Sequence, residues 1–556
     1  MSDAAMNVAA IRGGSILRSL RIVLFSLVGL VLLALLANYF RRITPLRHLD
    51  SVFLFESVDS ILAHGLPLSH TVLSWPVVAP MLDWPVARIC AAALPFLEGD
   101  GYNVLDNHAY FLLYPIAVLA RLIGTHDAFA WLNAAAHLAL VLMPWVFLRR
   151  SGLPVLAVAA FAIAVAAWPA WSLSAMGDYY LDRLYMPLML GLLYLLHRGA
   201  LQEGALTRGR LAGIACVALL AAMTTERATI MVLAALLFFV VLALPWRRVR
   251  AQAGFWLGLP LLLVAYLAWY FSVMFHGFEG GGSLRANAYL TARALVERFH
   301  DPRMVVFALT NLLFLGWMAC LAGWRYLLLA LGALLPNLIV TTGGAELNGW
   351  VTHYHAMYIP FLVFAASIGF ARFMDWLPQG GARVLVAIAS ASASLVLAAT
   401  YQPFEATFTA PAADRTQGGI LRAVYRFYVH RDQSPERAML FWIQQLPDAV
   451  SAGARVSAVE GAMPVLYHSH ALALYPSGLD HADVLVISGA LVDGKAAFVT
   501  GLPYPGNAEQ VAQVNACLLE RAIRQGFAVE REILGAGLIV LRRSAAPQPA
   551  IAAPRS

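Results

Sequence analysis

A short acidic segment, "LDSVFLFESVDSILAHG" (Leu49 to Gly65), follows the first long apolar run of the chain. It carries three carboxylates, Asp50, Glu56 and Asp59, although only 12% of the residues are charged. A carboxylate within hydrogen-bond reach of a hydroxyl can accept its proton as that hydroxyl attacks a substrate. The segment is therefore a candidate for acid–base chemistry. The simpler alternative is a helix cap followed by two side chains that face water.

The segment has the pattern of an amphipathic helix that runs from Asp50 to about His64. Asp50 can cap its N-terminus, and Gly65 can terminate it. Glu56 and Asp59 are three positions apart and lie on the polar side. The apolar side is formed by Leu54, Phe55, Val58, Ile61 and Leu62. We expect such a helix to lie at the surface of a bilayer.

The composition predicts a polytopic membrane protein. The chain has 556 residues, of which 61% are hydrophobic, and its mean hydropathy is +0.71. This is too apolar for a soluble globular protein. The formal charge of +7 is not concentrated in a long basic run, so nucleic acid is not an expected partner. The four cysteines, which form no CxxC pair, predict neither a disulfide framework nor a zinc site. They are Cys90, Cys216, Cys320 and Cys517.

About eleven apolar stretches are long enough, or nearly so, to cross a bilayer as helices. They lie near 20–39, 127–148, 153–171, 183–198, 211–224, 228–245, 254–274, 304–323, 326–342, 355–373 and 382–400. The segment from His108 to Gly124 is short and contains a proline, so it either spans or lies in the interface. The arginines of the short loops fall on the cytoplasmic side only if it does not span, which the positive-inside rule favours.

This topology defines the domain boundaries. We predict a cytoplasmic N-terminus (1–19), a transmembrane domain (20–401) and a first external loop within it (40–126). Ionisable residues then gather on the external face: Asp50, Glu56, Asp59, Asp83, His108, Asp178, Asp182, Arg183, Glu226, Arg227, His353 and His355.

The pattern changes after the last apolar stretch. Short β-type runs, "RVSAVEG", "ALALYP", "DVLVISG" and "GLIVLRR", occur with the helical pattern "AEQVAQVNACLLERAIRQG". We predict a linker (402–429), a small soluble α/β domain (430–545) and a disordered tail (546–556). An odd number of spans places the α/β domain outside the cell. Its expected role is to cap the external face.

The arrangement resembles the GT-C superfamily of integral-membrane glycosyltransferases, and most closely a bacterial branch of unknown function. The similarity covers most of residues 45–375. It is carried by "DSVFLFESVDSILAHGLPL", "LDNHAYFLLYPIAVLARL", "DYYLDRLYMPLMLGLLYLL", "TTERATIMVLAALLFF" and "THYHAMYIPFLVFAASIG". The resemblance implies a GT-C-like membrane domain in a bacterial inner membrane. It also implies transfer of a sugar, with inversion, from a polyprenyl-phosphate carrier to a glycan, lipid or protein acceptor of the cell envelope.

The resemblance suggests roles for the external residues. Asp50 matches the acidic residue that opens the first loop in this superfamily, so it is the expected general base. Ser51 replaces a common second acid, which weakens the case for a metal pair. Asp178 and Tyr179 are expected to contact sugar hydroxyls. His108 matches a histidine of the family, and Glu56 and Asp59 complete the acidic part of the predicted substrate site.

Two arginines are the candidates for binding the carrier phosphate. Arg183 and Arg227 each lie at a helix end, beside Asp182 and Glu226 respectively, and both acids are counted in the predicted substrate site. A local charge pair or an arginine that reaches toward the interface explains them equally well.

The motif "HYH" provides His353 and His355. Its spacing allows two metal ligands, but contact with a phosphate is the preferred functional interpretation. An interfacial aromatic belt is the simplest one. No cofactor is required by the sequence, although a divalent metal is compatible with it.

Two other functions remain as alternatives. A flippase or transporter for a lipid-linked sugar normally has polar residues near the bilayer midplane, whereas here they gather at one face. A non-catalytic partner protein can also retain a GT-C fold.

Overall fold

The molecule is a bundle of apolar helices with a small α/β domain packed on one end. The computed structural model describes residues 26–47, 49–81, 84–97, 99, 101–201, 205–275, 302–339, 353–408, 419–451, 453–467, 471–492, 495–498 and 508–544. The predicted N-terminal segment 1–19, the predicted tail 546–556 and Asp83 lie outside the described residues.

The described part of the chain starts at Ser26, within the first apolar run, and is helical there. Its helices are α1 (Ser26–Leu46), α2 (Leu49–His64), α3 (His70–Leu73), α4 (Trp75–Met81), α5 (Val86–Ala91), α6 (Leu113–Ile123), α7 (Thr125–Arg150), α8 (Val155–Ala167), α9 (Pro169–Ser174), α10 (Leu181–Leu201), α11 (Arg208–Ala222), α12 (Glu226–Ala243), α13 (Trp246–Ala251), α14 (Ala253–Met274), α15 (Met304–Leu321), α16 (Trp324–Ile339), α17 (Ile359–Trp376), α18 (Gly381–Phe408) and α19 (Gly419–Tyr428).

Eight of these described helices are long and apolar enough to cross a bilayer: α1, α7, α10, α12, α14, α15, α17 (counted from His355) and α18. The other three predicted spans are present as shorter helices, α8 with 13 residues, α11 with 15 and α16 with 16. The predicted polytopic helical fold is therefore confirmed. Helix α6 has 11 residues and reaches only about 16 Å, so it is too short to span.

The first loop follows α1 and contains α2 to α6. Strand β1 (Leu68–Ser69) pairs with β2 (Tyr102–Asn103), and this pairing closes the middle part of the first loop. Helix α2 ends at Gly65 as expected, because this glycine has φ +79° and its N–H binds the carbonyl of Ile61 at 2.9 Å. However, α2 begins at Leu49. Asp50 therefore lies in its first turn and is not its N-cap residue.

Helix α2 also packs differently from the predicted surface helix. Its buried residues occur on several sides: Leu49, Ser51, Val52, Leu54, Phe55, Ser57 and Val58. Part of the helix contacts the membrane bundle and part contacts the C-terminal domain. The expectation of an amphipathic helix with one water-facing side is wrong, because Glu56 and Asp59 on that side bind Ser69, Thr71 and Thr125 of the first loop and α7.

The C-terminal domain is an α/β unit built on one mixed sheet. Its elements are α20 (Pro435–Ile443), α21 (Leu446–Ala449), β3 (Arg455–Ala458), α22 (Met463–Leu466), β4 (Ala471–Leu474), β5 (Val484–Val492), β6 (Lys495–Phe498), α23 (Ala508–Arg524), β7 (Phe527–Ile533) and β8 (Leu538–Arg543). The strand order is β4-β3-β5-β8-β7, with β6 paired to β5. Strands β3, β4 and β5 are parallel, and β8 is antiparallel to β5 and β7.

The first loop and the C-terminal domain form one unit. Val78, Met81, Ile89 and Leu94 of the loop lie in the same apolar cluster as the sheet of the domain. Backbone contacts continue this interface. The N–H of Gly478 binds the carbonyl of Pro95 at 2.8 Å, and a Cβ there would meet the ring of Phe96 at 2.7 Å. Both parts therefore lie at the same end of the bundle, which we call the loop end.

A disulfide joins the same two parts. Cys90 of α5 is bonded to Cys517 of α23, across 427 residues of sequence. The expectation that the cysteines form no disulfide is therefore wrong for this pair. Local spacing could not reveal it, because the two residues meet only after the domain has packed on the loop.

The region predicted as a linker, 402–429, contains the end of α18 and the whole of α19. Ile420, Ala423 and Phe427 of α19 are buried in the cluster of the membrane bundle. The side-chain amide of Asn38 donates to the hydroxyl of Tyr428 at 2.7 Å. The chain is thus attached to α1 before it enters the α/β domain.

Candidate functional site

Three candidate carboxylates occupy the first turns of three helices at the loop end. They are Asp50 of α2, Asp182 of α10 and Glu226 of α12. A helix N-terminus favours negative charge, because its unpaired N–H groups and the helix dipole point toward it. The amide of Leu112 in the first loop binds the carbonyl of Met223 at 2.9 Å and brings the loop next to the start of α12.

Asp50 is partly buried, and its contact is a tyrosine that the sequence analysis did not single out. The hydroxyl of Tyr180 donates to Oδ2 of Asp50 at 2.5 Å. Burial raises the pKa of Tyr180 well above its ordinary value, and the nearby charges of Asp50 and Asp178 raise it further. The phenol therefore stays protonated and donates. It fixes the orientation of the Asp50 carboxylate.

The residues next to Asp50 and Tyr180 attach the two segments to each other. Ser51 donates through Oγ to Oδ1 of Asp178 at 3.1 Å and accepts from the amide of Tyr179 at 3.0 Å. Tyr179 is fully buried, and its hydroxyl donates to the carbonyl of Phe40 at 2.9 Å. The predicted sugar contact of Tyr179 stays a prediction, and its buried position favours a structural role.

Two buried arginines hold the turn that precedes α10. Nη1 of Arg183 donates to the carbonyl of Gly177 at 3.0 Å, and Nη1 of Arg47 donates to the carbonyl of Met176 at 2.6 Å. Arg183 has only 1% of its surface exposed, and its guanidinium lies 5.7 Å from the ring centre of Tyr180. Arg183 is thus a buried residue that supports this turn, and its predicted contact with the carrier phosphate stays a prediction.

A second polar group connects α10, α12 and the first loop. Nη2 of Arg227 lies 3.3 Å from Oδ2 of Asp182, so the pair joins two helices. Oε1 of Glu226 lies 3.2 Å from Nδ1 of His108, and Oε2 accepts from the amide of Ala109 at 3.1 Å. The Arg227 side chain is 33% exposed whereas that of Asp182 is 1% exposed. A ligand at the loop end can therefore reach the arginine.

Tyr110 connects this group with Asp50. Its hydroxyl lies within electrostatic range of Asp182, Arg227, Glu226 and Asp50, and burial is the main reason that its pKa lies well above the ordinary value. Its ring packs against that of His108, with the centres 4.8 Å apart. The structure thus gathers Asp50, Asp182, Glu226 and Arg227 around Tyr110, which also packs on His108, and we treat these residues as one candidate site.

Glu56 and Asp59 point to other parts of the protein. Glu56 accepts from the hydroxyl of Ser69 at 2.5 Å, and from the hydroxyl and amide of Thr71 at 2.6 and 3.0 Å. Burial raises the pKa of Glu56, and these hydrogen bonds oppose that shift. Asp59 accepts from the hydroxyl of Thr125 at 2.5 Å. The two residues hold the loop together, and their predicted contact with substrate stays a prediction.

The histidine pair is described only in part, because the side chain of His353 lies outside the described residues. His355 is buried, and its Nδ1 lies 2.8 Å from the hydroxyl of Tyr358. Across the described part of the chain, no group of three or more His, Cys, Asp or Glu side chains is arranged to hold a metal ion.

The chain has a GT-C-like fold, as comparison with a solved structure shows. ArnT from Cupriavidus metallidurans, in a crystal structure bound to undecaprenyl phosphate, matches 95% of this chain and 99% of its own, with a TM-score of 0.51 and 13% identity. The crystal structure of ArnT in the apo state matches 96% of this chain and 100% of its own, with a TM-score of 0.48 and 15% identity.

No protein-family model and no curated protein matches the chain. At these identities the similarity to ArnT establishes the fold. The predicted closeness to a bacterial branch of unknown function stays a prediction.

Proposed function

We propose that the protein is a membrane glycosyltransferase that uses a polyprenyl-phosphate-linked sugar. The observation that carries the proposal is the position of Asp50 in a GT-C fold. Its carboxylate is oriented by Tyr180 at the place where the first turns of α10 and α12 meet the first loop. The solved ArnT structure with undecaprenyl phosphate supports a carrier of this chemical class.

In the proposed reaction Asp50 acts as the general base. It accepts the proton of the acceptor hydroxyl while the hydroxyl oxygen bonds to the anomeric carbon of the sugar. The bond between that carbon and the carrier phosphate breaks, and the bonding electrons leave with the phosphate. A single displacement from the opposite face inverts the anomeric configuration. Tyr180 contributes by holding the carboxylate in one orientation.

Arg227 is the proposed partner of the carrier phosphate. Its guanidinium is positioned by Asp182 and remains partly exposed. An arginine can bind two phosphate oxygens at once and stabilise the charge that develops on the leaving group. Arg183 is buried with its guanidinium 5.7 Å from the ring centre of Tyr180, and its charge adds to the positive potential near Asp50. A divalent metal stays compatible with the sequence, and no step is assigned to one.

The topology proposed for the chain has the N-terminus in the cytoplasm and the loop end outside a bacterial inner membrane. Two observations support it. The short loops at the opposite end carry the arginines. The disulfide between Cys90 and Cys517 requires an oxidising compartment at the loop end. The acceptor is then a glycan, lipid or protein of the cell envelope.

The test uses the full chain in lipid nanodiscs with a panel of radiolabelled polyprenyl-phosphate sugars and a crude envelope acceptor. Wild type is compared with Asp50→Asn and with Asp375→Asn, an exposed carboxylate at the opposite end of the bundle. We expect Asp50→Asn to lower transfer by roughly 10²- to 10⁴-fold. The Asp375 variant should match wild type.

The other outcomes separate the alternative functions. Normal transfer by a folded Asp50→Asn protein would remove Asp50 from the mechanism. Tight donor binding by wild type and variant, without transfer or donor hydrolysis, would indicate a carrier or flippase. Absence of donor binding would indicate a non-catalytic partner protein with a GT-C fold.

A further inference from the structure

An apolar groove lies at the end of the bundle opposite the first loop. It is formed by α1, α7 and α10 and has a volume of about 670 Å³. This is within the usual range of ~300–1,000 Å³ for ligand sites. Most of its lining is aliphatic, and Leu142, Leu195 and Leu201 are 42%, 37% and 72% exposed along it. The groove therefore opens on the side of the bundle that faces the bilayer.

Arginines stand at the mouth of the groove. Arg150 and Arg198 line it. A smaller cavity of about 90 Å³ shares Leu195 and Arg198 with the groove and is also lined by Arg210 of α11. All three arginines are exposed. Among the described residues, no carboxylate lies within ion-pair distance of any of them.

We propose that this groove binds a phospholipid with an anionic headgroup from the leaflet at that end of the bundle. An acyl chain lies between α7 and α10, and the phosphate contacts Arg198 with Arg150 or Arg210. The combination of a lipid-facing apolar channel with arginines that pair with no described carboxylate matches the two parts of such a lipid. A second copy of the chain would bring the same arginines together and is disfavoured by their repulsion.

The groove is separate from the site at the loop end. Helix α7 has 26 residues and runs about 39 Å from Thr125, which contacts Asp59, to Arg150 at the groove. That distance exceeds the hydrocarbon thickness of ~30 Å. The proposal therefore does not depend on the function proposed for the loop end.

The test is native mass spectrometry of the full chain, stripped of lipid and titrated with phosphatidylglycerol or phosphatidylcholine of the same chain length. We expect wild type to bind phosphatidylglycerol more tightly. In the double variant Arg198→Gln/Arg210→Gln the affinity should fall about 30-fold, the equivalent of ~2 kcal/mol at ~1 kcal/mol per arginine. The matched control is Arg208→Gln/Arg247→Gln, which removes two exposed arginines that line neither cavity.

A second variant tests the apolar part. Gly191 lines the groove, and a Cβ there would make an ordinary contact with Met143 at 3.7 Å, so Gly191→Leu can fill the channel without displacing backbone. It should weaken binding of long-chain but not of six-carbon phosphatidylglycerol. Three outcomes would each overturn the proposal. They are equal binding of the two headgroups, an equal loss of affinity in both double variants, and dimerisation of the stripped protein through this face.

Discussion

One carboxylate, Asp480, connects the first loop with the C-terminal domain, and its removal gives a quantitative prediction. Asp480 accepts from the amide of Leu94 at 2.8 Å, from Arg521 at 2.9 and 2.6 Å, and from Gln525 at 2.6 Å. The side chains of Asp480 and Arg521 are only 17% and 19% exposed. Arg521 also donates to the carbonyl of Ala92. The group therefore joins the loop, the sheet domain and α23.

The variant Asp480→Asn keeps the shape of the side chain but replaces one acceptor oxygen with an NH₂ group. Donors on that side, from Leu94 or Arg521, then face another donor. A hydrogen bond to a charged group contributes about 1.5–3 kcal/mol, and an unsatisfied buried donor costs a similar amount. Because Arg521 is partly accessible to water, we expect the free energy that keeps this interface closed to fall by about 3 kcal/mol. The population with an open interface should rise roughly 100-fold.

Hydrogen exchange read by mass spectrometry measures this opening in the disulfide-bonded full chain. Peptides that contain Gly478 or residues 88–97 should exchange roughly 100-fold faster in Asp480→Asn than in wild type. The control is Asp483→Asn. Asp483 is 48% exposed and pairs with Arg455 inside the domain, so its loss should cost below ~1 kcal/mol. Equal exchange in wild type and Asp480→Asn would refute the argument.

The interface should also respond to acid. Partial burial alone would raise the pKa of Asp480, but hydrogen bonds from Leu94, Gln525 and Arg521 place it below its ordinary value of 3.8. A carboxylate with a lowered pKa in the folded state stabilises that state at pH values above its unfolded pKa. This stabilisation is lost as the pH falls through the pKa that the carboxylate has in the folded state. The protection of wild type, after correction for the pH dependence of intrinsic amide exchange, should therefore fall below about pH 4, and Asp480→Asn should lack this contribution.

Substitutions at three further residues test the loop end. Tyr180→Phe removes the donor to Asp50 and should lower kcat about tenfold or more while the melting temperature changes little; an unchanged kcat would contradict the orienting role. Arg227→Gln should weaken binding of a polyprenyl-phosphate sugar in a titration, and Arg227→Lys should restore binding only in part, because a lysine presents a point charge; full binding by both would remove Arg227 from the phosphate site. Glu56→Ala leaves donors of Ser69 and Thr71 without an acceptor and should lower the free energy of unfolding by about 3 kcal/mol. If it instead raises KM at unchanged stability, Glu56 contacts substrate as the sequence predicts.

Much of the membrane fold follows from the sequence, because span length and arginine placement are constrained by the bilayer itself. The same constraint brings His108, Asp182, Glu226 and Arg227 to one end, since each stands at the end of an apolar run on the same side. The sequence does not predict which of these side chains pair with each other. Arg227 contacts Asp182 of another helix at 3.3 Å, although Glu226 is its neighbour in sequence.

Other parts of the site have no local signal. Tyr110 and Tyr180 flank apolar runs, where tyrosines are common in any membrane protein. Nothing in their spacing distinguishes them from an interfacial belt. The partners of Glu56 and Asp59 come from later segments, as far as 66 residues away for Thr125. A carboxylate that closes a loop therefore has the same sequence pattern as one that faces water.

The disulfide between Cys90 and Cys517 has a consequence for the biogenesis of the chain. The two cysteines are 427 residues apart. At a synthesis rate of roughly 5–20 residues per second, the ribosome needs about 20–90 s to reach the second one. In the proposed topology the first loop is already across the membrane during this time, but Val78, Ile89 and Leu94 lack the sheet that covers them in the finished protein. The thiol of Cys90 must stay unpaired, or be held by an exchange partner, until the last domain is translocated. Correct assembly therefore depends on the timing of translation and export.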